Sequence, residues 1–304
     1  MPSLTTPSRA PLVVTGQTQE IHNLVRDAQK RGGRVGFVPT MGALHAGHLS
    51  LIVAARRECD FVVASIFVNP TQFGPREDFT KYPRPLDADL KLCAEAGVDA
   101  VFHPAADTMY PQGYVTYVEV TGLSDVFEGQ HRPGHFRGVT TIVLKLFHVV
   151  PADFAYFGQK DYQQQAIIRR MCAELNVPIE IRVCPTVREA DGLALSSRNV
   201  YLSPDERRSA LALSKSLRQA EARVLAGETD LTSIRQEMNG ILTGTPNVRV
   251  DYATLIHPEA LEEVDRVLPG MVAIVAARVG VTRLIDNLII KPQGSMATRR
   301  APDR

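Results

Sequence analysis

The chain has 304 residues, 44% hydrophobic and 22% charged, and its 34 basic side chains face 33 acidic ones for a formal charge of +1. That balance offers no basic surface for nucleic acid and no membrane address, no apolar run approaches the roughly 20 residues a bilayer crossing needs, and Met1–Ala10 lacks the apolar stretch of a secretion signal. Four scattered cysteines (Cys59, Cys93, Cys172, Cys184), with no Cys-x-x-Cys pair, read as free thiols of a reducing, cytoplasmic compartment.

Through the first two-thirds, short β-rich runs alternate with helical spacing. Val35–Val38 reads as a strand, followed by a helix from His48 through Arg57, and Phe61–Val68 as a buried strand. Leu86–Ala96 reads as a helix ended by Gly97, and Ala100–Phe102 as a strand. A helix over Val139–Val150, a strand at Phe154–Phe157, a helix over Tyr162–Leu175 and a strand at Ile179–Cys184 complete the series. This alternation predicts an α/β fold, a Rossmann-like parallel sheet with covering helices, with ligands beyond the carboxyl ends of the strands.

The style changes after Asn199. Ser203-Pro204-Asp205-Glu206 carries a serine cap, a proline at the first helical position and a glutamate completing a capping box. The helix it opens is expected to run to about Gly227, with a second over Leu231–Leu242. Val248–Ile256 and Met271–Ala277 read as strands around a short helix. The division expected is 1–188 as the Rossmann-like domain, 189–291 as a smaller C-terminal α+β lid and 292–304 as a polar, basic, disordered tail.

Four segments carry the chemistry. Pro39–His48 runs from a strand through glycines Gly42 and Gly47 into a helix, bringing amide N–H groups, His45 and His48 around one point, an arrangement suited to phosphate. A lone His-x-x-His also reads as one surface and one core imidazole, or as half of a zinc site, but no other ligands stand at a recognisable spacing. Gly158-Gln159-Lys160-Asp161 is a second strand-to-helix turn, with Asp161 a candidate N-cap. Of Gln163, Gln164 and Gln165, one is expected to face a ligand and two the surface. Leu195-Ser196-Ser197-Arg198 offers two hydroxyls and a guanidinium in a mobile loop, a clamp for polyphosphate or an ordinary serine-rich linker. Asn69–Gly74 adds amides suited to hydroxyls and carboxylate edges of a small substrate.

Together these segments resemble the two ATP-binding motifs of the HIGH nucleotidylyltransferase superfamily. The match narrows at Pro39-Thr40-Met41-Gly42-Ala43-Leu44-His45-x-Gly47-His48, Phe67-Val68-Asn69-Pro70-x-Gln72-Phe73, Tyr82-Pro83-Arg84, Phe157-Gly158-x-Lys160-Asp161-Tyr162-Gln163-Gln164 and Arg188–Asn199. In this order, and with Thr282–Asn287 near the end, they resemble the pantothenate synthetases over most of the chain.

The resemblance implies an ATP- and Mg²⁺-dependent ligase, a homodimer in its family, that joins pantoate to β-alanine through pantoyl adenylate and releases AMP and pyrophosphate. It implies that Met41, Gly42, Ala43, Leu44, His45, Ala46, Gly47 and His48 hold ATP, with His48 in the proton-donor position and His45 on the phosphates. Lys160, Ser196, Ser197 and Arg198 would neutralise the polyphosphate, with Gly158 and Val187 against the adenosine and Gln159, Asp161 and Leu195 beside it. His48, His45, Lys160 and Arg198 are the catalytic set. Gln72 and Gln164 would bind pantoate, Gln72 also bordering β-alanine, and Asp89 would contact Mg²⁺ through phosphate oxygens or water.

The chain departs from the family at Gln159, where glutamate is common, at Leu195, where methionine is usual, and at Ala88, where some members carry a second acid beside Asp89. A cytidylyltransferase acting on a phosphorylated alcohol would need another basic pocket; a non-catalytic nucleotide binder would have lost His48, Lys160 or Arg198.

Overall fold

A computed structural model describes residues 11–75, 77 and 79–291, so the tail expected at 292–304 lies outside the described residues. The chain forms two compact units. The first contains the chain up to Gln159 and Ile167–Val187; the second contains Lys160–Ala166 and the chain from Arg188.

In the first unit the elements follow as β1 (Val13–Thr15), α1 (Thr18–Lys30), β2 (Val35–Thr40), α2 (Ala46–Glu58), β3 (Phe61–Ile66), α3 (Leu86–Ala96) and β4 (Ala100–Phe102). Two short helices, α4 (Ala106–Met109) and α5 (Glu128–His131), precede α6 (His135–Val149), β5 (Phe154–Gly158), α7 (Tyr162–Glu174) and β6 (Glu180–Cys184). The six strands are all parallel in the order β1-β4-β3-β2-β5-β6, the Rossmann-like sheet the alternation predicts. Successive strands run one way from β2 to β3 and β4, and the other way from β2's second neighbour β5 to β6. The order therefore reverses between β2 and β5, where such sheets leave a crevice at their carboxyl ends.

The period-2 alternation of side chains builds two cores from this sheet. Phe37, Val63, Phe102 and Phe157 pack on one face with Ile21, Val25 and α6. Val38, Val62, Ala64 and Tyr156 pack on the other with Ile52 of α2. Ile21, Val25 and Ala28 are the buried stripe of α1, at the i, i+4, i+7 spacing of a helix that covers a sheet.

The second unit adds α8 (Pro204–Ser209), α9 (Leu211–Leu225) and α10 (Leu231–Thr243) to an antiparallel sheet of β7 (Val248–Ile256), β8 (Val272–Val279) and β9 (Thr282–Ile289). The capping box forms as expected: Ser203 Oγ accepts from Glu206 N at 3.3 Å, and Ser203 N donates to Glu206 Oε2 at 2.8 Å. The helix expected to run unbroken to Gly227 is interrupted at Ala210, where Leu213 N takes the Ala210 carbonyl in a tighter three-residue step. The short helix expected between the strands is absent among the described residues; a turn and a bridge of Ile256 to Glu263 stand there instead. β9 was not expected. It returns from β8 through Gly280-Val281, a two-residue connection with Gly280 at φ +58°.

Candidate active site

The turn after β2 is built from its own backbone upward. Thr40 Oγ1 donates to Ser65 O of β3 (2.7 Å) and accepts from Gly42 N (3.1 Å). Gly42 at φ +82° and Ala43 at φ +51° reverse the chain, and a Cβ on Gly42 would lie 2.9 Å from Asp89 Oδ2. Glycine's freedom at positive φ and its missing Cβ are both used here. The next two amides point into one carboxylate: Ala43 N donates to Asp89 Oδ2 and Leu44 N to Asp89 Oδ1, each at 2.8 Å. Asp89 comes from the first turn of α3 and is 1% exposed.

His45 then caps α2. Its Nδ1 accepts from Gly47 N (3.1 Å), while His48 Nδ1 accepts from His45 N (3.3 Å), the reciprocal bonds of a capping box made by two imidazoles. Because each Nδ1 accepts a hydrogen bond, each neutral ring carries its proton on Nε2. The rings stack with centroids 4.2 Å apart and planes inclined at 35°. Two Nε2–H donors and the amino end of a 13-residue helix are thus fixed at the carboxyl end of β2.

Gln72 closes a three-residue 3-10 turn, Pro70–Gln72, after β3. Its Nε2 donates to Met41 Sδ (3.0 Å), joining this turn to the β2 turn. Its Oε1 accepts from Asn69 Nδ2 (3.0 Å), which also donates to Gly138 O (3.1 Å). Asn69 Oδ1 accepts from Tyr110 OH at 2.7 Å and from Thr71 Oγ1 at 3.0 Å. Asn69, read from sequence as a substrate-facing amide, is 1% exposed and has both amide hydrogens engaged inside the protein. It orients Gln72. Arg132 carries only donors, so His135 Nε2 accepts from it (3.0 Å) and His135 Nδ1–H donates to the Gln72 carbonyl (2.9 Å). Glu77 holds the same Arg132 through Nε and Nη2 at 2.9 and 2.6 Å. Neither Arg132 nor His135 has a sequence spacing that announces this task.

Gly158 ends β5 beside β2, and Gln159 N continues the ladder onto Cys184 O (2.8 Å). Val187, half-buried, ends the first unit. The remaining candidates belong to the second unit. Lys160 is half-buried, and α7 begins at Tyr162, so Asp161 takes the N-cap position and its carbonyl accepts from Gln165 N (3.0 Å). Gln164 is half-buried, but Gln163 and Gln165 are 8% and 3% exposed. The expectation of two surface glutamines is therefore corrected: α7 carries Gln163 and Gln165 inward.

Leu195, Ser196, Ser197 and Arg198 are all half-buried, and the segment is not irregular. Ser196 Oγ caps a 3-10 turn over Ser197–Tyr201 by accepting from Arg198 N (3.3 Å), and Asn199 Nδ2 holds the Ala194 carbonyl (3.1 Å). Short-range serine capping thus gives a 3-10 turn to a segment whose composition shows no clear periodicity.

Among the described residues no three His, Cys, Asp or Glu side chains group as a metal cage, and no helix is long and apolar enough to cross a membrane.

A parallel sheet whose strand order reverses beside β2, with two histidines capping the helix that follows, defines a nucleotide-binding α/β protein. Residues 13–289 match the family model described as pantoate-beta-alanine ligase. A pantothenate synthetase of Moorella thermoacetica is 54% identical over 271 residues, 89% of this chain and 96% of the relative. The crystal structure of pantothenate synthetase from Thermus thermophilus superposes with a TM-score of 0.88 at 47% identity, covering 92% of this chain and all of that one. The pantoate-beta-alanine ligase of Francisella tularensis, crystallised with beta-gamma ATP and beta-alanine, gives 0.76 at 34% identity over 92% of this chain and 98% of its own. The chain belongs to the pantoate–β-alanine ligase family and is an ATP-dependent ligase that condenses pantoate with β-alanine.

Proposed function

We propose that the condensation runs in two steps through pantoyl adenylate. A pantoate carboxylate oxygen attacks the α-phosphorus of ATP, the bond from that phosphorus to the bridging oxygen breaks, and pyrophosphate leaves. The amine of β-alanine then attacks the activated carbonyl carbon, loses a proton, and expels AMP. In neither step does a covalent bond to the protein form or break, so the protein's share is positioning and charge stabilisation.

The observation that carries this reading is the histidine-capped turn after β2. Its Nε2–H groups and helix terminus suit phosphoryl oxygens whose charge grows as the bridging bond breaks, with His48 donating and Met41–His48 holding the nucleotide. Lys160, Ser196, Ser197 and Arg198 supply the countercharge and hydroxyl donors. Gly158, Gln159, Asp161, Val187 and Leu195 line the adenosine. Gln72 has two amide hydrogens, of which Met41 takes one; the other suits a pantoate oxygen, with Gln164 as the second amide and the β-alanine site beside Gln72.

Magnesium enters this reading with the nucleotide. Among the described residues no three His, Cys, Asp or Glu side chains group as a metal cage, and the ion usually takes one or two carboxylates with waters and phosphate oxygens. Asp89 accepts a backbone amide on each oxygen, which makes it a clamp on the turn; an ion would reach it through water. A bound ion would neutralise triphosphate charge, and no step is assigned to it. The enzyme is read as a homodimer, the state that the family resemblance implies, and as cytoplasmic, which its scattered free thiols suit.

The test is release of AMP and pyrophosphate from Mg-ATP, with pantoate and β-alanine supplied alone and together. Steady AMP release only with both substrates, and bound pantoyl adenylate with pantoate alone, are expected. ATP binding without AMP release under any of these conditions would sink the two-step ligase.

A further inference from the structure

β9 carries a residue out of pattern. By alternation Thr282, Leu284, Asp286 and Leu288 share one strand face, and Leu284 and Leu288 pack into the core of the second unit. Asp286 therefore stands in an apolar row, with its side chain 3% exposed. Burying a carboxylate there is costly unless it is paired and hydrogen-bonded.

Its partner is Arg188, joined side-on through Nη1–Oδ2 at 2.6 Å and Nη2–Oδ1 at 2.9 Å. The same guanidinium donates to Gly192 O (3.1 Å) and to Asn287 O (3.2 Å). Arg188 is also the root of the hairpin that leads to Ser196: it bridges Ala194, and Glu189 N takes Leu193 O at 2.8 Å. The next residue on β9, Asn287, is 2% exposed, and its Nδ2 donates to the Lys160 carbonyl at 2.8 Å. Asn287 N donates to Asp286 Oδ1 at 2.8 Å, so the two residues act as one unit. Tyr162 OH, donating to Pro258 O at 3.0 Å, fixes the other side of the Lys160 segment.

One dipeptide thus holds the backbone of Lys160 and the root of the Ser196–Arg198 segment, 127 and 98 residues away in sequence. We infer that Asp286 and Asn287 are positioning residues for the phosphate-binding groups, setting where the Lys160 ammonium and the 196–198 turn stand relative to each other. The inference rests on the proposed role of Lys160. It explains why two polar side chains occupy a sheet position that leucine or valine would fill at lower desolvation cost.

The test is a double-mutant cycle read by pantoate-dependent pyrophosphate release. Asn287→Ala should lower kcat by about 10- to 100-fold, the scale of a misplaced binding group, with a smaller change in the KM for pantoate. In a Lys160→Ala background the same substitution should cost almost nothing, because the group it positions is gone. Leu288→Ala, on the same strand and packed into the core, is the structural control, with equal effects in both backgrounds. Asn287→Ser, a smaller change with matched circular dichroism, keeps the cycle readable if alanine prevents folding. Full additivity of Asn287 with Lys160, or an unaltered kcat in Asn287→Ala, overturns the inference. A fully active Lys160→Ala single variant takes down the Lys160 assignment itself, and with it the inference.

Discussion

The turn after β2 and the segment around Lys160, both proposed above to bind phosphate, are held in shape by opposite means. In the first, the histidines cap the helix they belong to, and the bonds span two or three residues. The turn's distant partners include Asp89, 46 residues from Ala43, with Gln72 on Met41 and Ser65 on Thr40. In the second, the Lys160 carbonyl is held from β9 by Asn287, 127 residues away. A locally closed turn keeps its shape from short-range hydrogen bonds; a segment tethered at long range depends on the register of a whole sheet.

His48→Ala should break the first region hardest. Turnover should fall by about 10²–10³-fold with little change in ATP affinity, because the contact strengthens as charge develops. An unchanged turnover number removes His48 from the mechanism. Asp89→Asn should follow, with a loss of about 10–10²-fold as the turn loosens. Hydrogen exchange decides its cause: Ala43 and Leu44 amides should exchange faster. A raised magnesium requirement with unaltered exchange would make Asp89 a metal contact instead.

Gly138→Ala probes how closely helix and turn approach. The added Cβ would stand 2.4 Å from Thr71 O, beside the carbonyl that holds Asn69. Displacing the Pro70–Gln72 turn should cost about 1–3 kcal/mol of stability, as overpacking does, and raise the KM for pantoate more than that for ATP. Equal KM changes for both substrates would separate this turn from the pantoate site.

The far end of α2 offers a smaller, pH-dependent effect. Glu58 accepts from Arg182 Nη2 (2.6 Å) and from Tyr156 OH (2.7 Å), and these bonds hold its carboxyl below the ordinary 4.5. A carboxylate depressed by folding contributes stability that is complete above its unfolded value and lost as pH falls through the folded one. Glu58→Gln should therefore lower stability at pH 7 by no more than about 1 kcal/mol, given the pair's partial exposure, and leave a shallower decline below pH 4.5. Parallel acid-denaturation curves for the two proteins would contradict this. The smallest effect is on the thiols. Burial pushes Cys93 up to about 12 and Cys172 to about 11, and raises Cys59 and Cys184 as well. Alkylation of the native enzyme at pH 8 should be slow and leave activity intact.

Much of this was legible in the chain because its causes are local. The α3 boundaries at Leu86 and Ala96, with Gly97 at φ +86°, follow from helical spacing and a left-handed stop. Ser203 and Glu206 announce their capping box in four letters. β9 escaped because Asp286 interrupts the apolar alternation that marks a strand, and the arginine that makes it acceptable lies 98 residues away. Gln163 and Gln165 were misplaced because polarity alone says surface, whereas the helix turned them inward.

By itself the sequence determined the alternating elements, the glycine turn, the histidines at the start of α2 and, through motifs in order, the family. Those rest on backbone periodicity, φ preferences and side-chain capping, which act within a few residues. Only the tertiary structure decided that Asp89 grips the β2 turn, that Asn69 turns Gln72, and that β9 holds Lys160. Each is a bond between residues brought together by strand order and packing, and a buried polar group's partner is set by which neighbours the fold supplies.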